Sequence, residues 1–190
     1  MTAMSESQDA NDLLSAVALS LADGVGPKLQ TTLLDQFGSP AEVLKQPIAV
    51  LQSVHGVGPK TAASLTSAKL FDEARRTISI CHAEQIDILT QQHSEYPERL
   101  REICDSPSVL YRRGVMLPQD ELAIAIVGSR RCTAYGKRHA ERLAGALARA
   151  GFTIVSGLAR GIDAAAHKGA MNAAGRTIAV LASGVRDIYP

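Results

Sequence analysis

Apolar residues follow two rhythms along the chain. Residues 13–21 and 50–54 are apolar stretches, and a glycine-proline interruption follows each. Beyond the interruptions come Leu29, Leu33 and Leu34 in one case and Ala62, Ala63 and Leu65 in the other. Returns at three and four residues line one face of an α-helix, so this half predicts short helices. From Leu122 the period changes. Residues 123–127 are a short unbroken apolar run, as a strand covered on both faces would be, and Phe152-Thr153-Ile154-Val155 and Thr177-Ile178-Ala179-Val180-Leu181 read as the second and third strands. Between the first two runs, Ala140, Leu143, Ala144 and Leu147 form a stripe with Arg138, Arg142 and Arg149 off it, a helix that Gly151 stops. Residues 163–174 predict another helix, with Asp163 as N-cap and Gly175 at its end.

The β-α-β-α-β order of the second half predicts a right-handed parallel sheet of Rossmann type. In the first half, Gly24-Val25-Gly26-Pro27-Lys28 recurs as Gly56-Val57-Gly58-Pro59-Lys60. Each copy reads as helix, tight turn and second helix, glycine supplying the positive φ and proline the first helical turn. Two such units in tandem resemble a helix-hairpin-helix pair, a small all-α, SAM-like domain found in DNA repair proteins. In that family the hairpin amides contact a DNA phosphate without reading sequence. The resemblance makes Gly24, Gly26, Lys28, Gly56, Gly58 and Lys60 candidate phosphate contacts. Such pairs also serve as packing or protein-interaction modules. The expected organisation is a disordered tail (1–10), a tandem hairpin domain (11–80), a lead-in with an extra strand (81–120) and a partial Rossmann-like domain (121–190).

Composition changes this picture in three places. No apolar run approaches the ~20 residues of a membrane span, and the polar first twelve residues do not form a secretory signal. Cys81, Cys104 and Cys132 have no C-x-x-C spacing, which argues against a disulfide framework or zinc site and makes a reducing cytoplasm the expected setting. Net charge is +1, yet residues 121–190 carry ten bases against four acids, while residues 11–80 balance at six and six. A basic C-terminal segment fits an anionic partner.

Ligands of such sheets bind at the carboxyl ends of the strands. Here these are Gly128-Ser129-Arg130-Arg131, Ser156-Gly157-Leu158-Ala159-Arg160-Gly161 and Ala182-Ser183-Gly184. Small residues, hydroxyls and guanidinium groups together are chemistry for phosphate. No G-x-G-x-x-G follows the first strand, no Walker loop exists, and no G-x-S-x-G surrounds Ser129, Ser156 or Ser183. Dinucleotide binding, Walker-type hydrolysis and serine-hydrolase chemistry therefore have no support. No cofactor and no metal ligand set is expected.

These residues carry a specific resemblance. Residues 126–130, Tyr135-Gly136, residues 155–163, Ala166-His167, residues 175–181 and Tyr189-Pro190 are similar to the DNA-processing protein A family (DprA, also called Smf). Tyr96-Pro97, Leu100, and Pro107 through Leu110-Tyr111 to Gly114 match its lead-in. The resemblance implies a non-enzymatic mediator that binds single-stranded DNA, protects it and loads the RecA recombinase during natural transformation. It implies a homodimer for the full-length family protein. It makes Arg130 the principal phosphate ligand, supported by Gly128, Ser129 and Arg131, with Ser156, Gly157, Arg160 and Gly161 in the neighbouring turn. The family continues past residue 190, so the sheet is expected to be incomplete and C-terminally truncated. Its dimerisation and RecA-contacting surfaces are expected largely in that continuation.

Alternatives stand beside each residue. Arg131, Lys137, Arg138 and Arg160 either extend the phosphate track or are solvated surface. Asp163 reads as a cap rather than a catalytic acid. His167, four residues on, reads as a structural hydrogen bond steadying the 156–161 turn, with a proton-transfer pair as the other reading. The competing function is a nucleotide-processing enzyme resembling phosphoribohydrolases, whose G-G-x-G-T-x-x-E pattern this chain lacks.

Overall fold

The computed structural model describes residues 2–188, which divide into two compact units, residues 1–113 and 114–190. Tyr189-Pro190, part of the resemblance, lie outside the described residues.

The first unit is helical with a small sheet. Its elements are α1 (Thr2–Leu21), α2 (Pro27–Phe37), α3 (Pro40–Leu44), α4 (Ile48–Gln52), α5 (Pro59–Leu65), α6 (Ala68–Ala83), β1 (Asp87–Thr90), α7 (Glu98–Arg101) and β2 (Val109–Arg112). The internal repeat is visible in the backbone. Gly26 and Gly58, the residues before α2 and α5, have nearly the same angles (φ −82°, ψ 173° and φ −84°, ψ 173°), and Pro27 and Pro59 open the helices. Burial repeats at the same 32-residue offset: Leu19 with Leu51, Ala22 with Val54, Val25 with Val57 and Leu33 with Leu65 all lie in one core. The two hairpins also pack reciprocally. A Cβ on Gly24 (φ +79°) would meet Thr61 Oγ1 at 2.6 Å, and one on Gly56 (φ +92°) would meet Leu29 at 3.5 Å. Both packing and positive φ therefore require glycine at position 24.

Two expectations are corrected here. Residues 2–10, expected as a disordered tail, are the first turns of α1, because no glycine or proline interrupts the chain before Gly24 and the residues present are helix-compatible. The lead-in, expected to hold one strand, holds two. β1 and β2 pair antiparallel, with Asp87 opposite Arg112 and Thr90 opposite Val109. Ile88 and Val109 pack against the helical core, and Ser108 Oγ donates to Gln30 Oε1 at 2.5 Å. Tyr96, buried, donates its hydroxyl to the Pro107 carbonyl at 2.6 Å. Arg101 stacks over the Tyr96 ring and donates to the Gln91 and His93 carbonyls.

The second unit has the expected parallel α/β architecture. β3 (Ala123–Ala125), α8 (Ala134–Arg149), β4 (Thr153–Ser156), α9 (Ile162–Asn172) and β5 (Thr177–Ala179) follow in order. The strands lie β3-β4-β5, with Ile124 opposite Ile154 and Val155 opposite Ile178. Ile154 is fully buried among Ala144, Ala148, Ala166 and Ala170 of the two helices. The helices approach closely because glycine sits at each crossing. A Cβ on Gly145 would lie 3.0 Å from the Gly169 carbonyl, one on Gly169 would strike the Glu141 backbone, and one on Gly175 would lie 2.5 Å from the Ala148 Cβ. Gly175 is thus a packing residue, and the left-handed position ending α9 is Ala174 (φ +52°).

At the amino ends of the strands sits an ion pair that the sequence did not reveal. Asp120 lies in a short 3₁₀ turn (Pro118–Glu121), its side chain 2% exposed. Its carboxylate accepts from Arg176 Nε (2.5 Å) and Nη2 (2.7 Å), Thr153 Oγ1 (2.8 Å) and the Leu117 amide (2.8 Å). Burial alone would raise the Asp120 pKa, but these hydrogen bonds and the Arg176 charge hold it below the usual carboxylate value.

Removing this carboxylate leaves Arg176 and Thr153 without their acceptor, so Asp120→Ala lowers the unfolding free energy by about 2–4 kcal/mol. Since the folded pKa lies below the unfolded one, the contribution is complete above about pH 4 and disappears as pH falls through the folded value. Denaturant unfolding followed by circular dichroism, for wild type, Asp120→Ala and Asp120→Asn across that range, measures both effects.

Candidate nucleic-acid interface

The loops at the carboxyl ends of β3 and β4 touch. Gly161 (φ +92°) is the contact point: a Cβ there would collide with the Ser129 carbonyl and lie 2.9 Å from Arg130 Cα. A Cβ on Gly128 would lie 2.8 Å from Ile162, and one on Gly157 2.8 Å from Asp163 Oδ2. Glycine at 128, 157 and 161 lets the two turns close on each other and on the start of α9. Leu158 beside them takes φ +55°, in the left-handed region that a branched side chain seldom adopts.

Hydrogen bonds fasten this junction. Gly128 N–H donates to Asp163 Oδ1 at 3.2 Å, and Ile162 N–H to the Ser129 carbonyl at 3.3 Å. Ser129 Oγ accepts the Arg131 amide at 3.1 Å, folding the loop back on itself and leaving the hydroxyl hydrogen free to donate outward. Thr133 Oγ1 accepts the Gly136 amide at 3.1 Å and caps α8. Ser129, Arg130 and Arg131 are exposed on this base.

Several predicted residues are placed otherwise. Ser156, expected among the phosphate-binding residues, is buried at 2% exposure and donates its hydroxyl to the Ile126 carbonyl at 2.6 Å. It ties β4 to the end of β3 and has no hydroxyl to offer a ligand. Gly157 faces the Asp163 carboxylate and Gly161 the 129–130 backbone. Asp163 is not the N-cap of α9; Gly161 holds that position, and the carboxylate reaches across to the β3 loop. The hairpin residues Gly24, Gly26, Lys28, Gly56, Gly58 and Lys60 lie exposed in the other unit, where packing between repeats accounts for Gly24.

His167, 4% exposed, lies against the Ser156 backbone at the start of the 156–161 turn, and its Nδ1 lies 2.7 Å from Thr177 Oγ1 on β5. The Thr177 hydroxyl donates to the Ile154 carbonyl, so the ring must be the donor to Thr177 and carries its proton on Nδ1. Nε2 is buried with no partner in good hydrogen-bond geometry. Burial holds the His167 pKa below the usual imidazole value, against the Asp163 charge and the Ser156 backbone, which raise it. Asp163 and His167 are thus each committed to a different neighbour rather than forming a proton-transfer pair.

The positive charge sorts itself as well. Arg176 is held by Asp120, and Lys168 lies 3.2 Å from Glu141. Among the described residues, Arg130, Arg131, Lys137, Arg138 and Arg142 make no ion pair. All five are exposed, and they run from the β3 loop into the first half of α8. Among the described residues, no group of three or more metal-ligating side chains is formed and no helix is long and apolar enough to cross a membrane.

A helix-hairpin-helix module in front of a parallel sheet with helices defines an α/β protein of the Rossmann-like class. The family model for DNA recombination-mediator protein A matches residues 87–190, and that for the SAM-like helix-hairpin-helix tandem matches residues 12–68. The chain belongs to the DNA recombination-mediator protein A family. It is 35% identical over 178 residues to Protein Smf of Synechocystis sp., covering 92% of this chain and 45% of that protein. It is 39% identical over 143 residues to the DNA processing protein DprA of Bacillus subtilis, covering 74% and 48%. The X-ray structure of DprA from Streptococcus pneumoniae superposes with a TM-score of 0.58 at 25% identity, covering 92% of this chain and 58% of that one. The chain spans about half the length of the curated relatives it matches.

Two expected outcomes follow from this geometry. Gly161→Ala forces a Cβ into the Ser129 carbonyl at a left-handed backbone position; it costs at least about 2 kcal/mol and raises amide hydrogen exchange at Ser129–Arg131. For His167, the lowered folded pKa means the unfolded chain binds a proton the folded one refuses. Stability is therefore full above about pH 6.5 and declines as pH falls below it. His167→Asn, which keeps a donor near the Nδ1 position, flattens that decline in denaturant titrations between about pH 7 and 5.

Proposed function

We propose that the protein is a single-stranded DNA-binding recombination mediator that protects incoming DNA and loads RecA onto it during natural transformation, acting without catalysis. The observation that carries this reading is the β3 loop: exposed, unpaired Arg130 and Arg131 on a backbone fixed by Gly161 and Asp163. A guanidinium held on a rigid turn gives a phosphate a charge-assisted, forked contact at little ordering cost. The contact takes hold of the sugar-phosphate backbone and carries no sequence information, as a mediator acting on arbitrary incoming strands requires. Family membership supports the same reading, and Arg130 lies in the Gly128-Ser129-Arg130-Arg131 segment that the sequence places at the carboxyl end of the first strand. Arg160 borders the turn from the β4 side. A homodimer and the contact with RecA are part of the proposal for the whole protein.

The competing enzyme reading has little to stand on. Asp163 is engaged by the Gly128 amide and His167 by Thr177, so neither is free at the surface to move a proton for a bound nucleotide. Turnover of mononucleotides with detection of released base or phosphate would overturn the non-catalytic reading.

Arg130→Ala is expected to weaken binding of a fluorescent oligo-dT by about tenfold or more, the value of one or two charged hydrogen bonds. The slope of log affinity against log salt falls by about 0.7, one phosphate contact on a single strand. Fluorescence anisotropy at several salt concentrations reads both, and an Arg130→Ala protein that binds as wild type removes the site assignment.

A further inference from the structure

The α8 face opposite its buried stripe has a composition the β3 loop does not explain. Ala140, Ala144 and Ala148 point into the core. On the other side, Tyr135, Arg138, His139 and Arg142 fall at i, i+3, i+4 and i+7 and are all exposed, so they form one ridge along two turns. Tyr135 is 65% exposed, and its ring lies 4.1 Å from that of His139, centroid to centroid, at 42°. Arg138 and Arg142 make no ion pair among the described residues. The one acid of α8, Glu141, is turned toward α9, where Lys168 Nζ lies at 3.2 Å and Asn172 Nδ2 at 3.1 Å. The ridge therefore presents two rings and two guanidinium groups with no carboxylate, starting two residues past Thr133, where the β3 loop enters the helix.

We propose that this ridge is a second contact surface for single-stranded DNA, on which the Tyr135 ring, backed by His139, stacks on a base while Arg138 and Arg142 meet the flanking phosphates. The proposal rests on reading the β3 loop as the phosphate grip and extends the strand's path from that grip along α8. Alternation of a flat aromatic surface with cations is what a sequence-tolerant strand contact needs, since every base has a π-face and every linkage a charge. A duplex does not fit, because its base faces are already stacked on one another. An acidic protein would pair with the guanidinium groups but would leave an exposed tyrosine-histidine pair unused.

The test compares the protein and its variants on an oligo-dT of about 12 nucleotides, an abasic oligomer of the same length, and a duplex. Wild type binds oligo-dT at least about fivefold tighter than the abasic strand, the lower end of one base-aromatic stack. Tyr135→Ala abolishes that preference and Tyr135→Phe retains it. Arg138→Gln/Arg142→Gln lowers the salt slope on single strands by about 1.4, two phosphate contacts. The ridge is overturned if wild type shows no preference for bases over abasic sites, if Tyr135→Ala keeps it, if the double variant leaves the slope unchanged, or if Tyr135→Ala weakens duplex binding equally. Arg130→Ala in the same series separates the two ideas. Weakened binding there with silent ridge variants removes the ridge alone, and the reverse pattern removes the loop reading and leaves the ridge standing.

Discussion

At Gly161 the chain leaving β4 passes so close to the carbonyl of Ser129 that only a hydrogen atom fits between them. The architecture of the functional end of the sheet follows from that approach. It brings Ile162 against Gly128 and Asp163 against Gly157, and it places the Asp163 carboxylate where it can take the Gly128 amide. The β3 loop is thereby held from beneath by backbone and from the side by a carboxylate, while its outward surface, Ser129 to Arg131, is left to solvent. Flexible side chains on a fixed turn lose less freedom on binding than a mobile loop would, so the cost of the junction's tight packing is offset in the bound state.

The two ends of this sheet use charge in opposite ways. At the amino ends, Asp120 gathers Arg176, Thr153 and the Leu117 amide into a buried, fully satisfied cluster. At the carboxyl end of β3 and along the first half of α8, Arg130, Arg131, Arg138 and Arg142 make no ion pair among the described residues. A net charge of +1 therefore understates the field one surface carries, because residues 121–190 hold ten bases against four acids and the balancing acids lie elsewhere along the chain. Of the ten bases in residues 121–190, Arg176 belongs to the fold and Arg130 to the surface, a distinction that counting charges along the chain cannot make.

Periodicity alone located the helices of the hairpin repeat and all three parallel strands, since both rely on local spacing that survives folding. Where reading failed, the deciding partner was distant in sequence. Asp120 is 33 residues from Thr153 and 56 from Arg176, and no local pattern marks it as buried. Ser156 looked like a ligand because it closes a strand beside glycine, yet its hydroxyl meets Ile126, 30 residues earlier. Asp163 looked like a cap for the same local reason and instead bridges 35 residues to Gly128. The lead-in, expected to hold one strand, holds two because Asp87–Thr90 and Val109–Arg112 form strands only opposite each other, four residues being too few to announce a period. His139 gains meaning only from the Tyr135 ring one helical turn away.

The glycines teach a further point about inferring ligands from motifs. In the hairpins, Gly24 is required by Thr61 of the other repeat; in the sheet, Gly128, Gly157 and Gly161 are required by Ile162, Asp163 and Ser129. In each case the close approach that a glycine-rich turn permits is already used by the protein itself, so the turn by itself is no warrant for a bound phosphate. The warrant has to come from groups the fold leaves unspent. In the hairpin repeats these are Lys28 and Lys60, on a segment (residues 11–80) whose charges balance. On the sheet unit they are contiguous, a run of unpaired bases from Arg130 to Arg142 with an aromatic pair among them. Contiguity decides between the two, because a polynucleotide spaces its charges regularly and rewards a track of cations far more than a scattering of them.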